Sequence, residues 1–368
     1  MPENFFPSND PLTRKQWIDE VNAVAEARMV ASRYFGTGSN SAIRIRDSLN
    51  KGYGDEVTWS SSWPLKGTGT VGPETLKGKE EQLTLFTDKM RIDLSRHAVP
   101  VGNKIDAQLA PVNLRKIGRD KLGSWKAKAV DMACAYQLAG YTPANVDAGG
   151  DNDAGGRNAT YRGHNTITAP HADRIIRAGG IATDTLVGAD NTAKMTLELI
   201  DYAKERCFLE TATAAPIEPL EGGKHVLFVH PSVMTDLRRN EEWQAIQLAA
   251  LSGKQEGNPL YKFAAGEYND TIIVPWQYMP TGVSATNTSV ANTRRSVLVG
   301  AEALSLAYGR GYDGGEGDWE ETEDDHNFIK YVAYDLIWGV KANFYKSGSA
   351  LAEVDYGKIV IVTYSAAH

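Results

Sequence analysis

The sequence has little of three features that mark common classes of protein. Two cysteines, Cys134 and Cys207, are too few for a disulfide framework or a four-ligand zinc site, and both lie in helix-like segments where we expect buried thiols. No run of about 18 apolar residues and no basic start before an apolar stretch occurs, so we expect neither a membrane span nor secretion. The net charge of -7 excludes a free-standing DNA-binding domain with a generally basic surface.

Catalytic motifs are also missing. The patterns GxxxxGK[ST], HExxH and GxSxG do not occur, which removes the usual phosphate-loop, zincin and nucleophile-elbow chemistries. Gly67–Gly72 fits GxGxxG, but Pro73 and a strand follow where a dinucleotide site needs a helix, so a hairpin tip is favoured over a nucleotide site. No catalytic residue, cofactor or metal ligand is predicted.

Two polar segments leave alternatives open. The acidic run 316–325 is typical of a solvated loop, with a divalent-cation site as the alternative. His164 and His171 lie in a glycine-rich segment, 141–190, whose acids lack the terminal Glu of a calcium loop, which leaves adventitious cation binding there. Because that segment has few apolar residues, we expect a surface insertion.

What is present is a globular composition, with 42% hydrophobic and 23% charged residues in a chain of 368. At roughly 150 residues per domain, this length predicts two or three folding units. Mixed helical and strand patterns predict an α+β fold. The predicted helices are Thr13–Tyr34, Pro111–Leu138, Thr192–Leu209 and Ala301–Tyr308, and the predicted strands of the second half are Val226–Val229, Thr271–Val274, Ser296–Val299, Phe328–Phe344 and Lys358–Tyr364.

A long hairpin is predicted between residues 55 and 101. Apolar and polar residues alternate on both of its strands, and Pro64–Glu81 between them is rich in Gly, Lys and Thr. The second strand, Leu83–Val101, would reach about 60 Å at about 3.3 Å per residue. Because a two-stranded ribbon is marginal alone in water, we expect it to lie on another subunit. The predicted intersubunit contact residues are Trp59, Trp63, Met90, Ile92 and Leu94.

The helix Pro111–Leu138 is predicted to be a spine about 40 Å long, at about 1.5 Å per residue. Its predicted apolar stripe consists of Leu114, Ile117, Trp125, Ala129, Met132 and Tyr136. Its polar positions form the most basic stretch of the chain, which indicates either a solvated face or a face turned toward DNA. The candidate DNA-facing residues are Arg115, Arg119 and Lys126.

Several segments in one order carry a resemblance to a known family. The chain resembles the major capsid proteins of tailed double-stranded DNA bacteriophages, with the Hong Kong 97 (HK97-like) fold, and more closely the N4-type major capsid family. The likeness runs from about Val57 to Val362. The carrying segments are Gly78–Asp88, Arg96–Gly102, His225–Ser232, Asp236–Leu237, Trp243, Asn258–Leu260, Gly266, Gly300–Leu304, Ala307–Gly309 and Asp355–Val362.

The resemblance implies five parts: an N-terminal arm (1–54), an extended loop (55–101), a peripheral domain with the spine helix (102–221), an axial domain (222–326) and return strands of the peripheral domain (327–368). It implies a non-enzymatic shell protein that forms hexamers and pentamers of an icosahedral head around double-stranded DNA. Implied partners are other copies, a portal protein, and scaffold and decoration proteins, with assembly in the host cytoplasm and no membrane. A tail or decoration component and a nucleotide-binding cytosolic enzyme are the alternatives.

Overall fold

The computed structural model describes residues 11–46, 54–62, 67, 69–81, 85–103, 113–142, 163–209, 215–244, 266–310, 317–324, 329–347 and 352–366. Two six-stranded sheets share one continuous apolar core with the helices packed on them. The predicted α+β class is confirmed.

The first sheet is organised around one long strand near the end of the chain. β15 (Ile329–Ala342) pairs antiparallel with β5 (Asp93–Asn103) along one edge. Along its other edge it pairs with β14 (Asp318–Asp324) and then with β13 (Leu304–Tyr308). Buried and half-buried residues alternate along most of β15, as its sequence pattern predicts. The remaining strands of this sheet are β2 (Ile43–Ile45) and β1 (Phe35–Gly36).

The second sheet is buried on both faces. At its centre, β12 (Thr293–Val299) pairs antiparallel with β18 (Lys358–Tyr364) and with β7 (His225–Val229). Its strands are nearly continuous apolar runs because both faces meet protein. The other strands of this sheet are β6 (Ile175–Arg177), β9 (Thr271–Pro275) and β8 (Gly266–Tyr268).

The sheets do not follow the predicted domain ranges. The range 327–368 is divided between them, because β15 lies in the first sheet and β18 in the second. The end of the predicted axial range likewise contributes β13 and β14 to the first sheet. Each sheet is therefore assembled from distant parts of the chain, and the domain ranges stay a prediction.

Helices cover both sheets. α1 (Pro11–Arg28) packs along α2 (Leu114–Ala139), the predicted spine, which itself lies on β15 and β5. The Asn113 side chain accepts a hydrogen bond from the Lys116 N–H at 3.1 Å and caps α2. The other helices of the described residues are α3 (Asp184–Ala189), α4 (Leu197–Phe208) and α5 (Pro231–Arg238), with helical residues at 241–244 and 3-10 turns at Ala31–Tyr34, Ala172–Arg174 and Ala178–Gly180. Three two-stranded ribbons pair β3 (Glu56–Ser62) with β4 (Leu85–Arg91), β10 (Gly282–Val283) with β11 (Ser289–Val290), and β16 (Phe344–Ser347) with β17 (Ala352–Asp355).

Three local predictions are wrong. The predicted helix 301–308 is instead the buried strand β13, because pairing with β15 and β2 overrides the helix propensity of its Ala and Leu residues. The predicted acidic loop contains the strand β14, where Glu323 is 2.8 Å from the Lys330 ammonium. The described part of the predicted surface insertion, 163–190, supplies β6 and fully buried side chains such as Val187. Residues 143–162 lie outside the described residues.

Both cysteines are completely buried, as predicted. Burial raises the pKa of the Cys134 thiol well above its ordinary value and raises that of Cys207 to about 12. Since the thiolate is the reactive form, both groups are inert in the folded chain.

The C-terminal end of α2 is capped by two buried cations from other elements. Arg295 donates to the carbonyls of Ala139 and Gly140 at 3.0 and 2.7 Å, and Lys358 donates to that of Gln137 at 2.9 Å. The carbonyls of Ala139 and Gly140 have no partner within the helix, that of Gln137 has only a long bond of 3.4 Å from the Gly140 N–H, and positive charge is favourable at this end of the helix dipole. Arg295 is balanced by Asp184 at 2.7 Å, and Lys358 by Asp355 at 3.0 Å.

Asp131 on α2 holds the chain that follows α1. Its carboxylate accepts hydrogen bonds from the main-chain N–H groups of Val30 and Ala31 at 3.0 and 3.1 Å. Burial raises the pKa of Asp131 to about 6, although these two hydrogen bonds act in the opposite direction.

Replacing Asp131 with Asn is expected to change how subunit stability depends on pH. The folded carboxyl has a pKa of about 6, and an unfolded Asp has one of about 3.9, so between these values only the folded state holds the proton. The stability contributed by this group is therefore present below about pH 4 and falls as the pH rises to about 6, by about 2 kcal/mol. Chemical denaturation of dispersed subunits across this window should show this additional fall in the free energy of unfolding in the wild type only. The same dependence on pH in Asp131→Asn and in the wild type would contradict this.

Candidate assembly surfaces

The hairpin is a two-stranded ribbon that extends beyond the core of the subunit. β3 and β4 pair in register from Glu56 opposite Arg91 to Ser62 opposite Leu85. Between them, residues 69–81 form turns and are exposed almost throughout. The prediction of one continuous second strand is wrong: β4 ends at Arg91 and pairs with β3, whereas β5 begins at Asp93 and pairs with β15 in the first sheet.

The base of the hairpin is tied to its own subunit. Met90 and Ile92 are 0% and 7% exposed and form a small cluster with Val57 and Ala307. Residues of the same chain thus already cover these two predicted contact residues, and the structure assigns them to the root of the hairpin. An intersubunit contact stays a prediction for the other residues, of which Trp59 is half-buried under Arg46, Leu94 is 46% exposed, and Trp63 lies outside the described residues.

The DNA-facing assignment of Lys126 is wrong. Its side chain is 1% exposed, its ammonium donates to Asn22 Oδ1 at 2.8 Å, and it lies 5.4 and 5.9 Å from the ring centres of Tyr308 and Tyr334. Aromatic faces and an amide oxygen compensate the buried charge. Lys126 therefore joins α2 to α1 and the first sheet.

Arg115 and Arg119 are engaged within the chain as well. Arg115 pairs with Glu321 of β14, and Arg119 pairs with Asp120 at 2.8 Å and with Glu20 of α1. Both guanidinium groups lie over the ring of Trp17, at 4.7 and 5.3 Å. That ring also stacks on Trp319 of β14, with centroids 5.7 Å apart. The N-terminal helix thus covers the basic side of the spine.

The exposed cations of α2 are Lys116, Lys121 and Lys128. They lie outside the face that α1 and the first sheet cover, and none of them is in an ion pair among the described residues. The predicted DNA-facing residues are three other cations of α2, because the predicted apolar face of the helix is incorrect.

The buried face of α2 is marked in the sequence by a row of mostly small residues, which the prediction of an apolar stripe missed. Ile117 of the predicted stripe is 40% exposed, whereas Gly118, Leu122, Gly123, Ala127 and Val130 are buried. A Cβ on Gly123 would lie 3.1 Å from the Val21 carbonyl oxygen of α1, so a larger residue would push the two helices apart.

Other candidate sites have ordinary structural partners. The glycine pattern 67–72 leads into turns in its described part, so the strand-to-helix geometry of a dinucleotide site is not formed there. His164 Nε2 lies 2.9 Å from Ser95 Oγ, and His171 lies 3.6 Å from Asp173. Across the described ranges, no group of three or more His, Cys, Asp or Glu side chains is arranged to hold a metal ion. Among the helices with described residues, none has an apolar stretch that could cross a bilayer.

Comparison with known proteins decides what kind of molecule carries this hairpin and spine. The family model described as phage capsid protein matches residues 5–367. The chain belongs to the phage capsid protein family. A curated relative, the major capsid protein of Pseudomonas phage KPP25, is 26% identical over 355 residues, which cover 91% of this chain and 90% of the relative.

Solved structures support the same assignment for this capsid protein. The capsid of Ralstonia phage GP4 matches with a TM-score of 0.73 and 26% identity, covering 91% of this chain and 90% of that one. The capsid of cyanophage Pam1 matches in fold with a TM-score of 0.69 and 18% identity over 93% of each chain. The predicted HK97-like fold is confirmed, and the chain is a phage major capsid protein, a structural component of a multimeric virion shell.

Replacing Trp17 with Ala is expected to loosen the N-terminal helix from the spine. The change removes one aromatic stack and two cation–π contacts. Denaturation of dispersed subunits should show a loss of about 2–3 kcal/mol, the lower range for truncating a large, partly buried aromatic side chain. Leu76→Ala, at an exposed tip position, is the control and should change stability by less than about 0.5 kcal/mol. A loss of less than about 0.5 kcal/mol in Trp17→Ala would contradict the role of Trp17 in holding α1 on α2.

Proposed function

We propose that this capsid protein assembles into hexamers and pentamers through its hairpin and that these close into an icosahedral head around double-stranded DNA. The carrying observation is that β3, β4 and residues 69–81 leave the subunit as a ribbon whose described tip is exposed, while the buried cluster that ties the ribbon to the subunit lies at its root. A two-stranded ribbon gains little stability on its own in water. A surface on a neighbouring subunit supplies the missing contacts.

The domain roles belong to the same proposal. The first sheet with α2 serves as the peripheral domain, the second sheet as the axial domain around the capsomer centre, and α1 with the following turn as the N-terminal arm. Support comes from the sheet order and from the match in fold to phage capsids. The role is structural and without catalysis, assembly takes place in the host cytoplasm, and the further partners are a portal protein with scaffold and decoration proteins.

The interior surface toward DNA is proposed at Lys116, Lys121 and Lys128 of α2. These three exposed cations lie on one helix of a protein with a net charge of -7. Phosphate neutralisation needs only a local basic face, because packaged DNA is held by confinement rather than by sequence-specific binding.

Deleting residues 64–81 is expected to prevent shell formation without unfolding the subunit, because the described part of this segment lies outside the core. Electron microscopy of the purified variant should show small oligomers or dispersed subunits. The control, Glu74→Gln with Lys79→Gln, removes an ion pair of the tip at constant length and should form normal shells. Normal closed shells from the deletion would contradict the assembly role.

Changing Lys116, Lys121 and Lys128 together to Gln is expected to weaken binding of dispersed subunits to linear double-stranded DNA. The slope of log affinity against log salt should fall in magnitude by up to about three, one for each lost phosphate contact. The matched control removes three exposed lysines of the hairpin, Lys77, Lys79 and Lys89, and has the same net charge. Equal slopes in the two triple variants would reject the helix as the DNA-facing surface.

A further inference from the structure

A short segment occupies the place where the hairpin leaves the first sheet. The pairing of β15 with β5 ends at Trp338 opposite Asp93. Beyond it, the Val340 N–H donates to the carbonyl of Gly163 at 3.2 Å. Residues 163–165 thus continue the edge of the sheet after β5 has turned away into the hairpin.

Asn165 in this segment binds the main chain of the hairpin root. Its Oδ1 accepts from the Arg91 N–H at 2.8 Å, and its Nδ2 donates to the Arg91 carbonyl at 2.8 Å. This is the pair of hydrogen bonds that a neighbouring strand would make with that residue. Asn165 is 9% exposed, so water competes little for either bond.

The sheet also confines the Arg91 carbonyl, next to the amide of Asn165, whose Nδ2 would lie 3.3 Å from a Cβ on Gly339. A Cβ on Gly339 of β15 would lie 2.2 Å from the Arg91 carbonyl oxygen, which means that only glycine allows this approach. Lys341 donates to the Lys89 carbonyl at 2.9 Å and pairs with Asp88. The last residues of β4 are therefore held by a side-chain amide and by β15.

The segment itself is fixed to the sheet. His164 Nε2 is 2.9 Å from Ser95 Oγ, which also accepts from the Trp338 indole N–H at 3.1 Å. The imidazole meets the Trp338 ring edge to face, with centroids 5.9 Å apart. Asn165 thus has a rigid support on β5 and β15.

We propose that Asn165 is a positioning residue for assembly: through its two hydrogen bonds to Arg91 it sets the angle at which the hairpin leaves the subunit. The proposal rests on the proposed role of the hairpin between subunits. β4 spans about 20 Å at about 3.3 Å per residue, so a rotation of about 15° at Arg91 moves its far end by about 5 Å. A displacement of that size changes which groups of a neighbour the ribbon meets.

The test measures the angle before any assembly. Spin labels are placed on the full chain at Leu76→Cys on the tip and Tyr202→Cys on α4, both exposed positions, while Cys134 and Cys207 stay unlabelled because they are buried. Pulsed electron paramagnetic resonance on dispersed subunits gives the distribution of distances. Asn165→Ala is expected to broaden this distribution or shift its mean by about 5 Å.

The matched control is Asn343→Ala. Asn343 is also buried and directly follows β15 of the first sheet; its Oδ1 accepts from Ser305 Oγ at 2.8 Å and its Nδ2 donates to the Glu302 carbonyl at 2.6 Å, and neither of these bonds reaches the described part of the hairpin. It should lose comparable stability and keep the wild-type distance distribution. A second variant, Gly339→Ala, would place a Cβ 2.2 Å from the Arg91 carbonyl oxygen and 3.3 Å from Asn165 Nδ2, so it disturbs the same pair of hydrogen bonds and should also shift the distances if Asn165→Ala does not fold.

An unchanged distribution in Asn165→Ala, or in Gly339→Ala where only that variant folds, overturns the proposal and leaves Asn165 with a purely structural role. The assembly role is scored separately by microscopy of the same variants. A shifted distribution with aberrant or absent shells supports both proposals. A shifted distribution with normal shells upholds the positioning role and contradicts the hairpin's function in assembly.

Discussion

The pairing of β15 with its neighbours on both edges is the constraint on which the other features depend. β15 is 14 residues long and joins β5, which continues from the root of the hairpin, to β13 and β14, which precede it directly in the chain. It also supports α2 and provides the glycine at which Arg91 approaches the sheet. The contacts of β15 with β5 and with Arg91 join residues more than 200 positions apart, so the hairpin obtains its root only when the end of the chain has folded.

Buried charges define how the spine helix is held. Along its length, Lys126 and Asp131 bind groups of α1 and the turn that follows it, and at its end Arg295 and Lys358 bind its last carbonyls. Each charge has a compensating partner, which burial in an apolar interior requires. Such contacts give little net stability compared with apolar packing, but they permit few alternative positions, because a displaced charge would be left uncompensated. These contacts fix α1, the turn after it and both sheets to α2.

Patterns with a clear period were predictable from the sequence, and features that depend on distant partners were not. The apolar alternation of Phe328–Phe344 and the run Lys358–Tyr364 correctly indicated strands, and Pro111–Leu138 correctly indicated the spine. The strand character of 304–308 and 318–324 was missed because it arises from pairing with β15, and the face of the spine was misplaced because glycine and alanine give no strong apolar signal. Lys126 looked like a surface cation, since sequence alone does not show two tyrosine rings brought to it from residues 308 and 334. The hairpin was recognised, but the break between β4 and β5 at Ile92 was not. The binding of Arg91 by Asn165 was also missed, because Asn165 lies over 70 positions away in the sequence.

The two thiols have a consequence for the lifetime of a shell built from this chain. Cys134 and Cys207 are inaccessible, and their raised pKa values keep them protonated. Thiol–disulfide exchange needs an accessible thiolate, so neither group links subunits or reacts with small oxidants while the fold is intact. The cohesion of the shell therefore does not depend on disulfides, and a particle can pass from a reducing to an oxidising medium without forming bonds through these two cysteines.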